Sequence, residues 1–365
     1  MKKLLFAAVT LDIGGIETAL VTLLNYLADE KENNNYKYDI TLVLEKKQGV
    51  FLNTINKRIH IIEYTPNSNK IVFIRKAINA IKQMNFKIKY KNQFDFSASF
   101  ATYSLPDSFV ARNASTNSAL WGHMDYLAQF DGNKEEVKKY FEQRHYNEFK
   151  NIIFVSNTSK ETFLQCVPDA KDKTLFINNL INYKDILEKS EENLQEPIKK
   201  ESTVFLNVGR HDEKQKKLSR IIEAAKMLVQ DGENFKIVLV GDGKDNKKYI
   251  DMVKASNMED KIIFVGKKKN PYSYFKIADC LLLTSDYEGS PVIYTETMVL
   301  NKPIISTEVA GCEQIKDKFG YIVNKDSKSV YIAMKEFIHN GYIITEKFDP
   351  KKYNEEIIKK LEKII

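Results

Sequence analysis

Cys280-Leu281-Leu282-Leu283-Thr284-Ser285-Asp286-Tyr287-Glu288-Gly289-Ser290-Pro291-Val292-Ile293-Tyr294-Thr295-Glu296 decides how this chain folds. Cys280 to Thr284 is a short apolar run of the kind that makes a strand buried on both faces. Gly289-Ser290-Pro291 predicts a helix start, with Ser290 as N-cap and Pro291 at the first helical position. The chain is therefore expected to leave a strand, turn tightly and enter a helix at the sheet's carboxyl edge. Two glutamates bracket the turn. At roughly 1.5 Å of rise per residue, Glu296 sits about 7–8 Å along the helix axis from Pro291. The pair is too far apart to share one proton, but could hold two hydroxyl-bearing ends of one ligand with an anion on the helix N-terminus between them. Strand–turn–helix units with two glutamates also occur as plain scaffolding, so the rest of the chain has to decide.

The same unit recurs on both sides of the stretch. Lys3 to Val9 predicts a first strand, ending in Gly14-Gly15-Ile16-Glu17 before Leu20, Leu23, Leu24 and Leu27 recur at helical spacing. Glycines there let a backbone approach a ligand closely, although a tight turn alone would also use them. Strands are expected at Asp39–Leu44, Ile59–Tyr64, Phe94–Phe100, Ser118–Trp121, Ile152–Val155 and Thr174–Ile177. Helices are expected at Ile71–Met84, Lys134–Phe149 and from the Ser156 cap to before Pro168. A second series follows: strands Thr203–Val208, Lys236–Val240, Ile262–Val265 and Pro303–Ser306, with helical stretches from Leu218, Lys248–Ser256, Pro271–Asp279 and Asn354–Ile365. Strand–helix alternation of this kind predicts doubly wound, mostly parallel α/β sheets. The polar run through residues 188–201 predicts a linker. It separates an N-terminal domain, 1–187, from a C-terminal one, 202–345, and a terminal segment, 346–365, is expected to pack back on the first domain.

Composition narrows the classes. A chain of 365 residues exceeds a usual single core. No apolar run approaches the roughly 18–20 residues of a membrane span, and the N-terminal run lacks a cleavage-site pattern, so it is read as a strand. Cys166, Cys280 and Cys312 are odd in number and far apart, which predicts neither disulfides nor a metal site and suits a reducing cytoplasm. The net charge of +7 comes from lysine and suits anionic ligands or an anionic membrane surface. The segment Lys70 to Lys91 concentrates it. No metal or other cofactor and no nucleic acid is expected.

Three further groups bear on chemistry. Gly209-Arg210 closes a strand, with Lys216-Lys217 one short loop later, two cations placed to neutralise a diphosphate. Gly241-Asp242-Gly243 lacks the third glycine of a dinucleotide fingerprint and reads as a strand-end turn. His123, in Gly122-His123-Met124-Asp125, ends a strand where open α/β sheets place ligand contacts, although a packed histidine is the commoner case.

Taken in order, these pieces resemble the GT-B glycosyltransferases of the retaining, nucleotide-sugar-dependent "group 1" type. The matching motifs are Gly14-Gly15-Ile16-Glu17, Gly122-His123-Met124-Asp125, Val208-Gly209-Arg210 with Lys216, Val240-Gly241-Asp242-Gly243, Phe264-Val265-Gly266, and Glu288-Gly289-Ser290-Pro291 with Glu296, an E-x7-E pattern. The subgroup it is most similar to builds bacterial cell-surface polysaccharides. The resemblance implies two Rossmann-like domains facing across a cleft, and transfer of a hexose or N-acetylhexosamine from a UDP-sugar to a saccharide or lipid-linked saccharide. The enzyme would be cytoplasmic, and peripheral at the inner face of the membrane. It implies Arg210, Lys216, His123 and Glu288 as catalytic residues. Donor contacts would come from Gly14, Gly15, Gly209, Gly266, Gly289, Ser290, Pro291, Val292 and Glu296, with Glu296 on the ribose and Glu288 on the sugar. The loop after Arg210 is a residue longer than the family's, so Lys216 and Lys217 compete for the phosphate. Alternatives are a nucleotide-sugar epimerase or phosphorylase of the same architecture, and a catalytically silent subunit that binds sugar nucleotide or a partner transferase.

Overall fold

The computed structural model describes residues 1–194, 196 and 198–365. It divides into two compact units, Met1–Leu180 with Tyr353–Ile365, and Ile181–Lys352.

The first unit is built on seven parallel strands: β1 (Lys2–Ala8), β2 (Tyr38–Leu44), β3 (His60–Glu63), β4 (Phe96–Ser99), β5 (Ser118–Gly122), β6 (Asn151–Phe154) and β7 (Thr174–Phe176). Their order across the sheet is β3-β2-β1-β4-β5-β6-β7. Helices cover both faces, so Leu4, Leu5, Phe6 and Ala7 of β1 are all fully buried and the strand is apolar without alternation. Ile357, Ile358, Leu361 and Ile365 of the terminal segment join the core that holds Leu4 and Phe6. The Lys2 ammonium donates to Ile365 O (2.8 Å) and Asn117 Nδ2 to Ile364 O (2.6 Å), fixing the chain end to the sheet edge.

The second unit has six parallel strands: β8 (Thr203–Val208), β9 (Phe235–Val240), β10 (Ile262–Gly266), β11 (Cys280–Leu283), β12 (Ile304–Thr307) and β13 (Gly320–Val323), ordered β10-β9-β8-β11-β12-β13. Helix Leu218–Gln230 buries Leu218, Ile221, Ile222, Ala225 and Leu228, one face of a 3.6-residue period, against Phe205, Ile237 and Leu239 of the sheet. Truncating a fully buried aromatic such as Phe205 to alanine is expected to cost about 3–5 kcal/mol.

Both orders reverse once, between β1 and β4 and between β8 and β11. In open α/β sheets, ligands bind outside the carboxyl ends of the strands at such a reversal. Two doubly wound α/β units are what the strand–helix alternation predicts.

The local differences have physical causes. The division falls at Leu180/Ile181 instead of at 187/188, because helix Tyr183–Ser190 is tied to the second unit: Asn270 Nδ2 donates to Lys189 O (2.9 Å). The stretch expected as a linker, 188–201, is likewise held there by Leu194 and Ile198 in its core and by the Lys268–Glu196 ion pair. Residues 195 and 197 of that stretch lie outside the described residues. The expected helix Lys134–Phe149 stops at Glu142, because His145 adopts a left-handed backbone (φ 53°). Pro271–Asp279 contains only a 3₁₀ turn, Tyr272–Lys276. Helix Leu105–Ala114 was not expected: its inward face carries Asp107 and Ser108, which breaks the apolar period. Among the described residues no helix is long and apolar enough to cross a membrane, and all three cysteines are free thiols.

Candidate functional site

At the reversal in the second unit, the loop after β8 (209–217) meets the loop after β11 (284–291). Backbone and side-chain bonds stitch them together. Asp286 N donates to Gln215 O (2.8 Å), and the Thr284 hydroxyl donates to the carbonyls of Lys216 and Lys217 (3.1 Å each). A third loop supports the turn from behind. Thr307 Oγ1 donates to Ser285 O (2.7 Å), and Gln314 Nε2 donates to Ser290 Oγ (2.9 Å).

These contacts bring Arg210, Lys216 and Glu288 into one network. Lys216 Nζ lies 2.5 Å from Glu288 Oε1, which also accepts from Ser285 Oγ (2.7 Å). Arg210 Nη2 donates to Gln215 Oε1 (2.9 Å), while Gln215 Nε2 points to Glu288 Oε2 (3.4 Å) and Tyr287 O (3.3 Å). Glu288 and Gln215 are buried and Arg210 is exposed. The result is an exposed guanidinium linked through Gln215 to an enclosed lysine–glutamate pair. The two lysines have different partners. Lys217 takes a left-handed backbone (φ 50°) at the start of helix Leu218–Gln230, and its ammonium points to Asp286 (3.7 Å). Asp286 is held more tightly by Arg220 (2.5 Å).

Gly241 and Gly243 lie under this loop. A Cβ on Gly241 would stand 1.8 Å from Gly209 O, and one on Gly243 2.3 Å from His211 O. They are packing glycines that let the Gly209–His211 segment settle on the sheet, as the strand-end-turn reading expects. Gly209 itself has room: a methyl group there would meet Lys216 Cε at an ordinary 3.9 Å, and one on Gly266 would have no neighbour within 4 Å.

The helix after the turn runs from Val292 to Val299, with Pro291 rather than Ser290 as its N-cap. Pro291 is extended (ψ 114°), and the Ser290 hydroxyl is engaged by Gln314, so no side chain caps the helix. Gly289 to Val292 thus carry the chain into a helix whose N-terminal end stands at the sheet's carboxyl edge. Glu296 lies one turn further along, buried, and accepts from the Tyr272 hydroxyl (2.8 Å). Burial pushes its carboxyl up to about 7, against a smaller opposing effect of the Tyr272 bond. Glu288 and Glu296 have separate partner sets, as their spacing predicts.

Gly14, Gly15 and His123 belong to the first unit. Gly15 opens helix Gly15–Asp29 after β1, and the Glu17 carboxylate folds back to within 2.2 Å of where a Gly14 side chain would begin. Tyr103 donates to Glu17 Oε1 (3.3 Å). His123 follows β5, packed on Phe100 (ring centroids 4.7 Å apart), and its Nε2 is buried without a hydrogen-bond partner. Burial pushes its imidazole down to about 4, so the ring is neutral at physiological pH. Asp125, two residues on, is a helix cap that accepts from Ala128 N (3.2 Å) and Thr162 Oγ1 (3.0 Å). Among the described residues, no group of three His, Cys, Asp or Glu side chains stands where it could hold a metal ion.

Gln215 and Tyr272 are the site residues that sequence reading missed. Gln215 sits in the Arg–Lys loop and carries no charge to mark it. Tyr272 lies 24 residues before Glu296 in what looked like an ordinary helix start.

The model of glycosyl transferases group 1 matches residues 188–363. An uncharacterized glycosyltransferase of Methanocaldococcus jannaschii is 27% identical over 169 residues, a match that covers 45% of this chain and 41% of that protein. The N-acetylgalactosamine-N,N'-diacetylbacillosaminyl-diphospho-undecaprenol 4-alpha-N-acetylgalactosaminyltransferase of Campylobacter jejuni is 22% identical over 355 residues, covering 93% of this chain and 91% of that one. Among solved structures, Anabaena HepE in complex with UDP-glucose superposes with a TM-score of 0.74 at 16% identity, over 100% of both chains. WaaG, a glycosyltransferase involved in lipopolysaccharide biosynthesis, gives 0.67 at 14% identity over 97% of this chain and 99% of that one. The chain therefore has the GT-B fold, and its residues 188–363 match the family of glycosyl transferases group 1.

Proposed function

We propose that this protein is a retaining, metal-independent hexosyltransferase or N-acetylhexosaminyltransferase. It would take a UDP-sugar as donor and a saccharide or lipid-linked saccharide as acceptor, in bacterial surface-glycan synthesis at the inner face of the membrane. The observation that carries this reading is the Arg210–Gln215–Glu288–Lys216 network at the strand-order reversal of the second unit. The UDP-glucose bound in the HepE structure and the lipid-linked acceptor named for the Campylobacter jejuni enzyme support the donor and acceptor classes.

Cleaving the bond between sugar C1 and the phosphate oxygen leaves its electron pair on the nucleoside diphosphate, which gains negative charge. Arg210 and Lys216 are the cations that answer that charge, together with the backbone N–H groups of Gly289, Ser290 and Val292 at the helix start. Glu288 holds Lys216 in place before the donor arrives and accepts donor-sugar hydroxyls once it is bound. Glu296 accepts from the ribose. The acceptor oxygen attacks C1 on the face the diphosphate leaves, and its proton passes to a donor phosphate oxygen. Losing one such charge-stabilising donor typically costs roughly 10²–10³ in rate. For Gly14, Gly15, Gly209, Gly266 and His123 the reading rests on the family resemblance.

The test is incubation with a panel of UDP-sugars and lipid-linked saccharides, with product mass and anomeric configuration read by mass spectrometry and NMR. An α-linked product from an α-linked donor is expected. An inverted product, or an altered sugar nucleotide formed without acceptor, would rule the reading out.

A further inference from the structure

Helix Val72–Tyr90 exposes more apolar surface than it buries. A surface helix normally turns its apolar stripe to the core. Here only Phe86 is buried, and the half-buried face mixes Arg75, Asn79 and Lys82 with Ile78 and Tyr90. Lys82 Nζ donates to Thr65 O (2.7 Å), and Asn79 Oδ1 accepts from Asn67 N (2.7 Å). A second apolar stripe faces water. Phe73, Ile81, Met84 and Ile88 follow one another at three-, four- and eight-residue steps along one side, and Phe73 and Ile88 are 85% and 77% exposed. Lysines border this stripe, among them Lys76 and Lys89, and no aspartate or glutamate occurs between Lys70 and Lys91.

We infer that this helix docks the first unit on an anionic lipid surface, with Phe73, Ile81, Met84 and Ile88 entering the headgroup boundary and the flanking lysines pairing with lipid phosphates. The two halves of the argument are independent. Exposed aromatic and aliphatic side chains on a helix too charged to span suit an interface between water and hydrocarbon. A rim of one charge sign suits a surface of the opposite sign, and its contribution falls with salt. A protein partner would need its own acidic rim around an apolar groove, and a second copy of this chain would bring lysine against lysine. The charge favours the membrane.

This deepens the membrane placement of the acceptor proposed above, but the two can fail separately. Vesicle binding is read without donor or acceptor, and transfer can be assayed on a soluble acceptor.

The experiment is flotation of the full-length chain with vesicles of phosphatidylcholine alone and of phosphatidylcholine with about 30% phosphatidylglycerol. Binding to the anionic vesicles at least about tenfold tighter than to the neutral ones is expected, falling as salt rises. Phe73→Ser with Ile88→Ser should weaken it by about tenfold, and Lys76→Gln with Lys89→Gln should remove most of the preference for phosphatidylglycerol. The lysine pair gives a separate readout should the apolar pair alter folding. Wild-type binding equal to that of both variants, or none to anionic vesicles, overturns the inference. So does a wild-type dimer, seen by light scattering, that Phe73→Ser with Ile88→Ser converts to monomer without changing vesicle binding.

Discussion

Lys216 Nζ and Glu288 Oε1 lie 2.5 Å apart although 72 residues separate them in the chain. Their loops leave adjacent strands, β8 and β11, at the point where the sheet order reverses. The pair is more enclosed on the acid side: the Glu288 side chain is 9% exposed and that of Lys216 20%. An ammonium held this way is positioned before any donor binds.

Removing that ammonium should therefore strike activity harder than removing its neighbour. Lys216→Ala is expected to lower kcat/KM by roughly 10²–10³. Lys217→Ala, whose side chain turns to Asp286, should change it by less than about tenfold. Steady-state transfer kinetics on the two variants decide the matter.

Gln215 should act through Arg210 and Glu288. Gln215→Leu leaves the guanidinium without its acceptor and one carboxylate oxygen of Glu288 without that donor. Such losses typically cost about 1–3 kcal/mol, or roughly tenfold to a hundredfold in kcat/KM. The loss should follow KM for the donor and be partly restored by Gln215→Asn only if the shorter amide still reaches Arg210. A purely structural role would instead lower the melting temperature and leave KM unchanged.

The pH behaviour of Glu296 has a fixed sign. Its folded carboxyl sits at about 7 against an ordinary 4.5, mainly through burial. Between those values the folded state holds a proton that the unfolded state has lost, so stability falls as pH rises through the window. At about 1.36 kcal/mol per pH unit the full cost above pH 7 is about 3 kcal/mol. Glu296→Gln should therefore be more stable than wild type at pH 8 and equal to it at pH 4. Donor affinity of the wild type should rise with pH through about 7, as the carboxylate that accepts ribose hydroxyls forms. Denaturant titrations and donor binding across pH 4–8 check both signs.

The glycines under the Arg210 loop separate packing from ligand approach. Gly241→Ala would place a methyl group 1.8 Å from Gly209 O at a φ of 148°. It should destabilise the protein by several kcal/mol, about the size of an overpacking and strain penalty combined. Gly209→Ala has room and should melt within a degree or two of wild type. A Gly209→Ala that is stable but slow would show that the backbone there meets the donor.

Much of this was legible in the residues. Leu281, Leu282 and Leu283 form a strand buried on both faces, so their apolar run is unbroken. Glu288 and Glu296 were visible because their seven-residue gap straddles a helix start. What stayed hidden depends on three-dimensional closure. Gln215 matters only because one loop folds over another. Tyr272 reaches Glu296 from a 3₁₀ turn that apolar periodicity reads as a helix. Helix Leu105–Ala114 was lost because Asp107 and Ser108 face inward, with Ser108 Oγ donating to Arg144 O (2.6 Å). The outward apolar stripe of helix Val72–Tyr90 has the period of an ordinary amphipathic helix, and sequence cannot say which face meets water.

The central claim is that Arg210 and Lys216 bind a nucleoside diphosphate at the carboxyl edge of the second sheet. Thermal unfolding of the wild type and of Arg210→Ala with Lys216→Ala, each with and without UDP, tests it most directly. At a UDP concentration about 100 times its dissociation constant, the wild type should gain about 2.7 kcal/mol, and the double variant should gain far less at the same concentration. Equal stabilisation of both proteins by UDP would contradict the account.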